Sequence, residues 1–343
     1  MSAPAGGEPL LRVEGLRTWF PIREGLMRKL VGHVRAVDDV SLEVEAGRTL
    51  ALVGESGCGK TTVGRSILRL EEPQAGRVWF EGEDLLALDP TQLRPYRQKL
   101  QIVFQDPMAS LNPRMRVREL VAEGMRSFGI GAGEAERTER VASLLERVQL
   151  DPDGMWRYPH EFSGGQRQRL GIARALAVEP RLLVLDEAVS ALDVSIQAQI
   201  LNLLSDLQQE LGLAYLFITH DLSVVRYLAH QVAVMYVGQI VERGDTDALF
   251  REPQHPYTRG LLKAVPSADP QRRSVEPHVL GDVPSPADPP PGCRFHTRCA
   301  EVFARCSREE PSLYRAGSGE ARCFLRDPER RAAPEGNPVL PGA

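Results

Sequence analysis

The stretch Gly54-Glu55-Ser56-Gly57-Cys58-Gly59-Lys60-Thr61 constrains this chain most, because it repeats glycine in the pattern G-x-x-x-x-G-K-[ST] between two segments of different periodicity. Thr49-Leu50-Ala51-Leu52-Val53 is a short apolar run that stops at glycine, which reads as a buried strand. After it, Val63, Ile67, Leu68 and Leu70 recur at roughly helical spacing between Thr62 and Leu70. A strand, a glycine-rich turn and a helix in that order predict an α/β fold. Glycines without side chains let successive backbone N–H groups turn inward on an anion, and the start of the helix adds its positive dipole end. Lys60 contributes a full charge, and the Thr61 hydroxyl is a hard oxygen ligand suited to Mg²⁺. A nucleotide triphosphate is the expected ligand of the whole loop, Gly54 to Thr62, since Lys-Thr at these positions adds no evident packing value.

The rest of the composition sets wider limits. A length of 343 residues suggests about two domains, and 42% apolar residues can fill a core. The net charge of −4 argues against a nucleic-acid partner. No uninterrupted apolar run reaches the roughly 18 residues of a membrane span, and Met1 to Pro9 is small and polar rather than a signal sequence. The chain is therefore expected to be cytosolic or peripheral to a membrane. Five cysteines in that setting do not suggest a disulfide framework, and four of them fall in the last 51 residues, which points to a local site.

Leu11 to Leu16 and Val40 to Val44 alternate with a period of two, as half-buried strands do, and predict a small β-layer before the phosphate loop. Trp19 and Phe20 lie between them; Phe20 is the favoured adenine stacker, with a packing role as the alternative. Arg23 to His33 reads as a basic, flexible hairpin. Gly76 to Gly82 and Gln101 to Phe104 read as further strands, the second stopping at Gln105, whose amide suits both a metal and an attacking water. Apolar periodicity then returns at Leu120, Val121 and Met125 and again at Val141, Leu144, Leu145 and Val148, with no strand between. This predicts an all-helical insertion over about 111–177.

Within that insertion, Ser163-Gly164-Gly165-Gln166 opens a helix that carries Leu170, Ile172 and Leu176 inward, and a helix start of that kind is itself an anion site. Leu182-Leu183-Val184-Leu185-Asp186-Glu187 follows as a buried parallel strand ending in two carboxylates, at the edge where open α/β sheets hold ligands. Asp186 suits the Mg²⁺ shell, and Glu187 is placed to polarise water for in-line attack. Ala214 to Ile218 reads as another buried strand, with Thr219-His220-Asp221 as its polar end. Val232 to Tyr236 and Gln239 to Glu242 read as a hairpin.

The phosphate loop, Gln105, Ser163-Gly164-Gly165-Gln166, Asp186-Glu187, Ser190-Ala191-Leu192-Asp193 and His220 occur in an order and spacing that resemble the ATP-binding-cassette ATPases, over about Leu10 to Arg251. The resemblance implies that Lys60 and Thr61 bind phosphate and metal, that Gln105 senses the γ-phosphate, and that Glu187 is the general base, held to the nucleotide by His220. It also implies that Ser163, Gly164, Gly165, Gln166 and Asp193 serve the nucleotide of a partner subunit. Ala188 departs from the family, which usually has proline there, and the change is expected to alter only the stiffness of the strand-to-loop passage.

Beyond Glu252 the composition shifts: 13 of the 26 prolines lie from Pro266 onward, which argues for an appendage rather than a second globular core. His255 to Arg259, Pro284-Ser285-Pro286 and the cysteines after them resemble the C-terminal extension of oligopeptide and dipeptide importer ATPases. Ser110 to Met115 and Val189 to Gln199 resemble the second ATPase subunit of such importers. The expected architecture is an α/β P-loop cassette over 1–254, with an N-terminal antiparallel β-layer and the helical insertion. A small irregular extension over 255–326 and a disordered tail over 327–343 complete it.

Cys293, Cys299, Cys306 and Cys323 are spaced C-x5-C-x6-C-x16-C, without the short pairs of usual zinc sites. Four thiolates suit a [4Fe–4S] cluster, which members of this transporter family carry there; zinc, free thiols or a disulfide stay open. The resemblance implies an ATP-hydrolysing, Mg²⁺-dependent subunit that drives peptide uptake from the cytoplasmic face of the inner membrane. Its implied partners are a different but homologous ATPase, two transmembrane permease subunits and an extracytoplasmic peptide-binding protein. An importer of another solute, such as nickel or short sugars, is the nearest alternative, and a soluble cassette ATPase the more distant one.

Overall fold

The computed structural model describes residues 8–25, 28–190, 192–264 and 281–329, which form two compact units. The first unit comprises 1–12, 43–50 and 78–219, and the second 13–42, 51–77 and 220–343.

In the first unit, strands Leu100–Val103, Leu182–Asp186 and Ala214–Thr219 run parallel, with Val103 opposite Leu185 and Leu185 opposite Phe217. Every residue of Leu182–Asp186 and of Ala214–Thr219 is buried. That is the reason their sequences are apolar without alternation, since a central parallel strand is covered on both faces. Among the described residues, all regular structure between Val103 and Leu182 is helical: Pro107–Ser110, Val117–Phe128, Glu134–Arg147 and Gly164–Leu176 are α-helices, with two short 3₁₀ turns, Pro152–Trp156 and Pro159–Glu161, before the last of them. Helix Val117–Phe128 buries Val117, Leu120, Val121 and Met125 and ends where Gly129 takes the left-handed conformation. Glu134 accepts hydrogen bonds from Arg118, Arg126 and Arg137, and Arg126 first, then Arg137, hold its carboxyl down at about 2. This cluster is exposed and adds little stability. Helix Val194–Leu211 turns its buried face, Ile200, Leu201, Leu203, Leu204 and Leu207, to the core and closes at Gly212.

Most of the hairpin of Leu11–Glu24 and Lys29–Val44 belongs to the second unit. Its strands run on through much of the Arg23 to His33 segment expected as a flexible hairpin, because cross-strand pairing satisfies the backbone whether or not a face is buried. Helix Lys60–Ile67 follows the phosphate loop, and Gln231–Tyr236 pairs antiparallel with Gln239–Asp245 across a bulge. The extension then adds to this hairpin: Gly319–Ala321 pairs with Gln239–Asp245, and Tyr314–Ala316 pairs with Gly319–Ala321. Glu242 reaches from the hairpin to the start of helix Pro256–Ala264, accepting from the backbone N–H groups of Gln254 at 2.7 Å and His255 at 2.8 Å. Arg294, also in the extension, donates to Asp38 and to the Val237 carbonyl. The extension is thus tied to the hairpin by strand pairing and by buried charges. Its stretch 265–280, and residues 330–343 of the tail expected over 327–343, lie outside the described residues, while at the start of that tail Asp327 is buried and accepts from Arg305 at 2.8 Å. No helix among the described residues is long and apolar enough to cross a membrane.

Candidate nucleotide site

The phosphate loop leaves a fully buried strand at Val53 and enters helix Lys60–Ile67 through Gly59, whose φ of 106° is left-handed. A side chain at Gly59 would run into the Ala36 carbonyl, and one at Gly54 into the Met235 carbonyl. Glycine is therefore dictated at both positions by close backbone approach. Ser56 and Gly57 are exposed, whereas Lys60 is only 4% exposed. The Lys60 Nζ donates to the Gly54 carbonyl at 2.8 Å and the Glu55 carbonyl at 3.0 Å, and lies 3.8 Å from the Cys58 sulfur. Burial pushes the Cys58 thiol up, so it packs as a small apolar group. Thr61 and Thr62 sit half-buried in the first turn of the helix. Backbone donors, one buried ammonium and two hydroxyls make a cradle for phosphate oxygens and a hard cation.

In the first unit, strand Leu182–Asp186 ends with Asp186, 3% exposed, followed by Glu187 at a left-handed φ of 47°. That conformation is unfavourable for a glutamate, and its surroundings enforce it. The Glu187 N–H donates to the Ile218 carbonyl at 2.9 Å, and its own carbonyl accepts from the Ser190 N–H at 3.1 Å and hydroxyl at 3.0 Å. The Gln105 amide donates to Glu187 Oε2 at 2.9 Å, joining residues 82 positions apart. Such a carboxylate, fixed in backbone and side chain, can take a proton from a water. Ala188 is buried and carries no ring to stiffen this passage.

Ser163 caps helix Gly164–Leu176: its hydroxyl accepts from the Gln166 N–H, and the Gln166 side chain accepts from the Ser163 N–H at 2.9 Å. Ser163, Gly164 and Gln166 are exposed and Gly165 is buried. Asp193 stands exposed before helix Val194–Leu211. His220, also exposed, follows strand Ala214–Thr219 and opens the part of the second unit that leads to helix Leu222–Leu228. Of the two N-terminal aromatics, Trp19 already faces the Arg35 guanidinium at 5.1 Å and the His33 ring at 6.0 Å. Phe20 is 37% exposed.

A family model described as "ABC transporter" matches residues 37–190, and one described as "Oligopeptide/dipeptide transporter, C-terminal region" matches residues 241–306. The chain is 51% identical to a "Probable peptide ABC transporter ATP-binding protein" of Sinorhizobium fredii, over 95% of this chain and 92% of that one. It is 46% identical to the dipeptide transport ATP-binding protein DppF of Escherichia coli, over 93% of this chain and 95% of that one. The chain belongs to the ATP-binding subunits of the oligopeptide/dipeptide ABC importers. Solved cassettes agree in fold. A dimeric cassette in a post-hydrolysis state with ADP and phosphate aligns at a TM-score of 0.61 and 27% identity, over 69% of this chain and 98% of that one. The CbiO1 subunit of Clostridium perfringens aligns at the same score and identity, over 72% of this chain and 92% of that one. The protein is accordingly a transport ATPase that uses ATP, with Mg²⁺ as the usual cation, and works with membrane permease subunits.

Four of the five cysteines of this ABC subunit gather in the extension. Cys293, Cys299, Cys306 and Cys323 line one cavity together with Phe295, Phe303 and Phe324, and none is in a disulfide. Burial pushes the Cys293 thiol up to about 12 and the Cys299 thiol to about 11. Among the described residues no three His, Cys, Asp or Glu side chains converge to hold a metal ion, and this bears on zinc and on the expected cluster alike. The geometry gives the expected [4Fe–4S] cluster no direct support beyond the shared cavity.

Two features of the loop escaped the sequence reading. Tyr257 Oη accepts from the Glu55 N–H at 3.0 Å, and Arg298 donates to the Glu55 carboxylate at 2.7 and 3.2 Å. Neither has a sequence signal, because the partners lie 202 and 243 residues apart.

Proposed function

We propose that this subunit drives uptake of oligopeptides or dipeptides by hydrolysing MgATP on the cytoplasmic face of the membrane. The loop Gly54, Glu55, Ser56, Gly57, Cys58, Gly59, Lys60, Thr61 and Thr62 would hold the phosphates through its backbone N–H groups, Lys60 and the hydroxyls, with the Glu55 side chain taking no part, and Phe20 would stack on the adenine. Thr61 of the second unit and Asp186 and Gln105 of the first each carry an oxygen that would suit Mg²⁺, and the cation would supply positive charge to the phosphate oxygens. Glu187 takes the proton of the attacking water on its carboxylate, Gln105 holds that carboxylate at Oε2, and His220 orients the reacting groups. Ser163, Gly164, Gly165, Gln166 and Asp193 present donors and a carboxylate to the nucleotide of a second, homologous ATPase. Residues 1–254 would act as the cassette, with the helical part at about 111–177, and 255–326 as the extension.

The observation that carries this reading is the Gln105–Glu187 hydrogen bond, which brings the amide after one strand onto the carboxylate after the next. Peptide as the solute is supported by the match of the extension over residues 241–306. The test is uptake of labelled dipeptide, oligopeptide and nickel by vesicles that contain the assembled importer with its binding protein. ATP-dependent peptide uptake is the expected result, and uptake of nickel alone overturns the solute assignment. A [4Fe–4S] cluster on Cys293, Cys299, Cys306 and Cys323 is supported by their common cavity and by four thiols without disulfides. Iron and acid-labile sulfide in anaerobically purified protein would bear it out, and their absence would reject it.

A further inference from the structure

We infer that Arg298 is a positioning residue of the ATP site: it neutralises Glu55 within the phosphate loop, so that the C-terminal extension sets how well the loop accepts a triphosphate. The inference rests on reading Gly54–Thr61 as the phosphate loop, and everything it uses lies within the second unit. Glu55 occupies a variable position of the loop motif, yet its carboxylate introduces a negative charge into a segment that must receive phosphates. Left alone, that charge would repel the ligand. The Arg298 guanidinium meets it with two nitrogens, at 2.7 and 3.2 Å, the paired geometry that fixes both direction and distance. The Arg298 side chain is only 6% exposed, so this is no loose surface pair.

The support around Arg298 is equally specific. Its guanidinium lies 5.8 Å from the centre of the Tyr236 ring, and Tyr236 packs against Tyr257 at 4.6 Å and Phe295 at 5.3 Å. Tyr257 in turn accepts the Glu55 N–H, so one residue of the loop is held by its backbone from one side and by its carboxylate from another. Arg298 closes the 3₁₀ turn His296–Arg298, directly before Cys299. The same short segment that carries a wall of the cysteine cavity therefore carries the counter-charge of the loop.

The experiment measures binding of a fluorescent ATP analogue with Mg²⁺ to the full chain, and the ATPase KM and kcat of the assembled importer. Arg298→Met should weaken nucleotide binding about tenfold, within the range typical of coupled sites, raising KM with kcat nearly unchanged. Adding Glu55→Gln to that variant should recover most of the loss, because it removes the stranded carboxylate; Arg298→Lys should keep most of the wild-type affinity. A general loss of structure would not be rescued by a change in the loop. Unchanged affinity in a folded Arg298→Met, or no recovery in the double variant, overturns the inference. If Arg298→Met does not fold, Glu55→Gln alone decides: affinity within about threefold of wild type supports charge neutralisation, and a tenfold loss refutes it. Lys60→Ala is the control for the underlying reading. Wild-type binding in that variant would remove the phosphate-loop assignment itself, whereas loss of binding there with no effect of Arg298→Met would remove only the role of Arg298.

Discussion

The phosphate loop and the turn at Ser163 are both glycine-bearing helix starts, yet they are built in opposite ways. The loop is fixed from outside: the Ala36 and Met235 carbonyls crowd Gly59 and Gly54, and Tyr257 and Arg298 hold Glu55. The Ser163 turn supports itself, through a capping box between Ser163 and Gln166, and its surface stays exposed. A loop wedged by distant segments is preorganised before any ligand arrives, which lowers the ordering cost of binding. A self-capped, exposed turn has its local donors arranged but no partner within its own element, which suits a surface completed by another chain. On the proposed function, the contrast would let one cassette sequence carry a receptive site and a donor surface with similar residue types.

The largest effect should come from the proposed base. Glu187→Gln in the assembled importer should keep ATP binding and lower turnover by about 10²–10⁴-fold. Near-normal turnover would remove the distinction between binding and chemistry on which the comparison rests. Next, Gly59→Ala and Gly164→Ala test the two helix starts directly. The first should weaken ATP binding by the full chain more than about tenfold, since a Cβ there must displace backbone at a left-handed φ. The second meets only Leu192 at 3.9 Å and should leave that binding unchanged. Equal effects on binding would erase the contrast. Ser163→Arg sharpens it further: binding by this chain alone should stay as in wild type, while turnover of the complex with its second ATPase falls about tenfold, as loss of an oriented donor set would require.

The smallest effect is a pH dependence confined to the brace of the loop. Burial, aided by Arg259, lowers His255 to about 3, and its ring nitrogen Nδ1 accepts the Tyr257 N–H. Below its ordinary value near 6.5 the unfolded chain takes up a proton that the folded chain refuses until about 3. His255 therefore subtracts stability as pH falls through that window, by up to about 1.4 kcal/mol per pH unit. Glu242, pushed up by burial, acts in the opposite sense over part of it. The difference between wild type and His255→Gln isolates the histidine: urea midpoints should diverge at pH 7.5 and draw together at pH 5. A constant difference at both pH values would show that His255 matters only through packing.

Sequence alone determined the elements whose physics is local. Apolar runs at Thr49 to Val53, Leu182 to Leu185 and Ala214 to Ile218 are too short for helices and read as covered strands, and glycine with Lys60 and Thr61 at fixed spacing pointed to a strand–loop–helix cradle. The helices between Gln105 and Leu182 were legible for the same reason, since their apolar period is written within a dozen residues. Arg23 to His33 was legible as a hairpin, but not the length of its strands, because polar side chains conceal strands whose stability lies in backbone pairing with each other. What only the tertiary structure decided is where separated residues meet. Gln105 reaches Glu187 across 82 positions and Arg298 reaches Glu55 across 243, and no periodicity or composition encodes such a distance. The ring of aromatics under Arg298 and the strands that Tyr314–Ala316 and Gly319–Ala321 add to the hairpin belong to the same class. Each depends on the free energy of packing the whole chain, which selects contacts by burial and charge rather than by separation along the sequence.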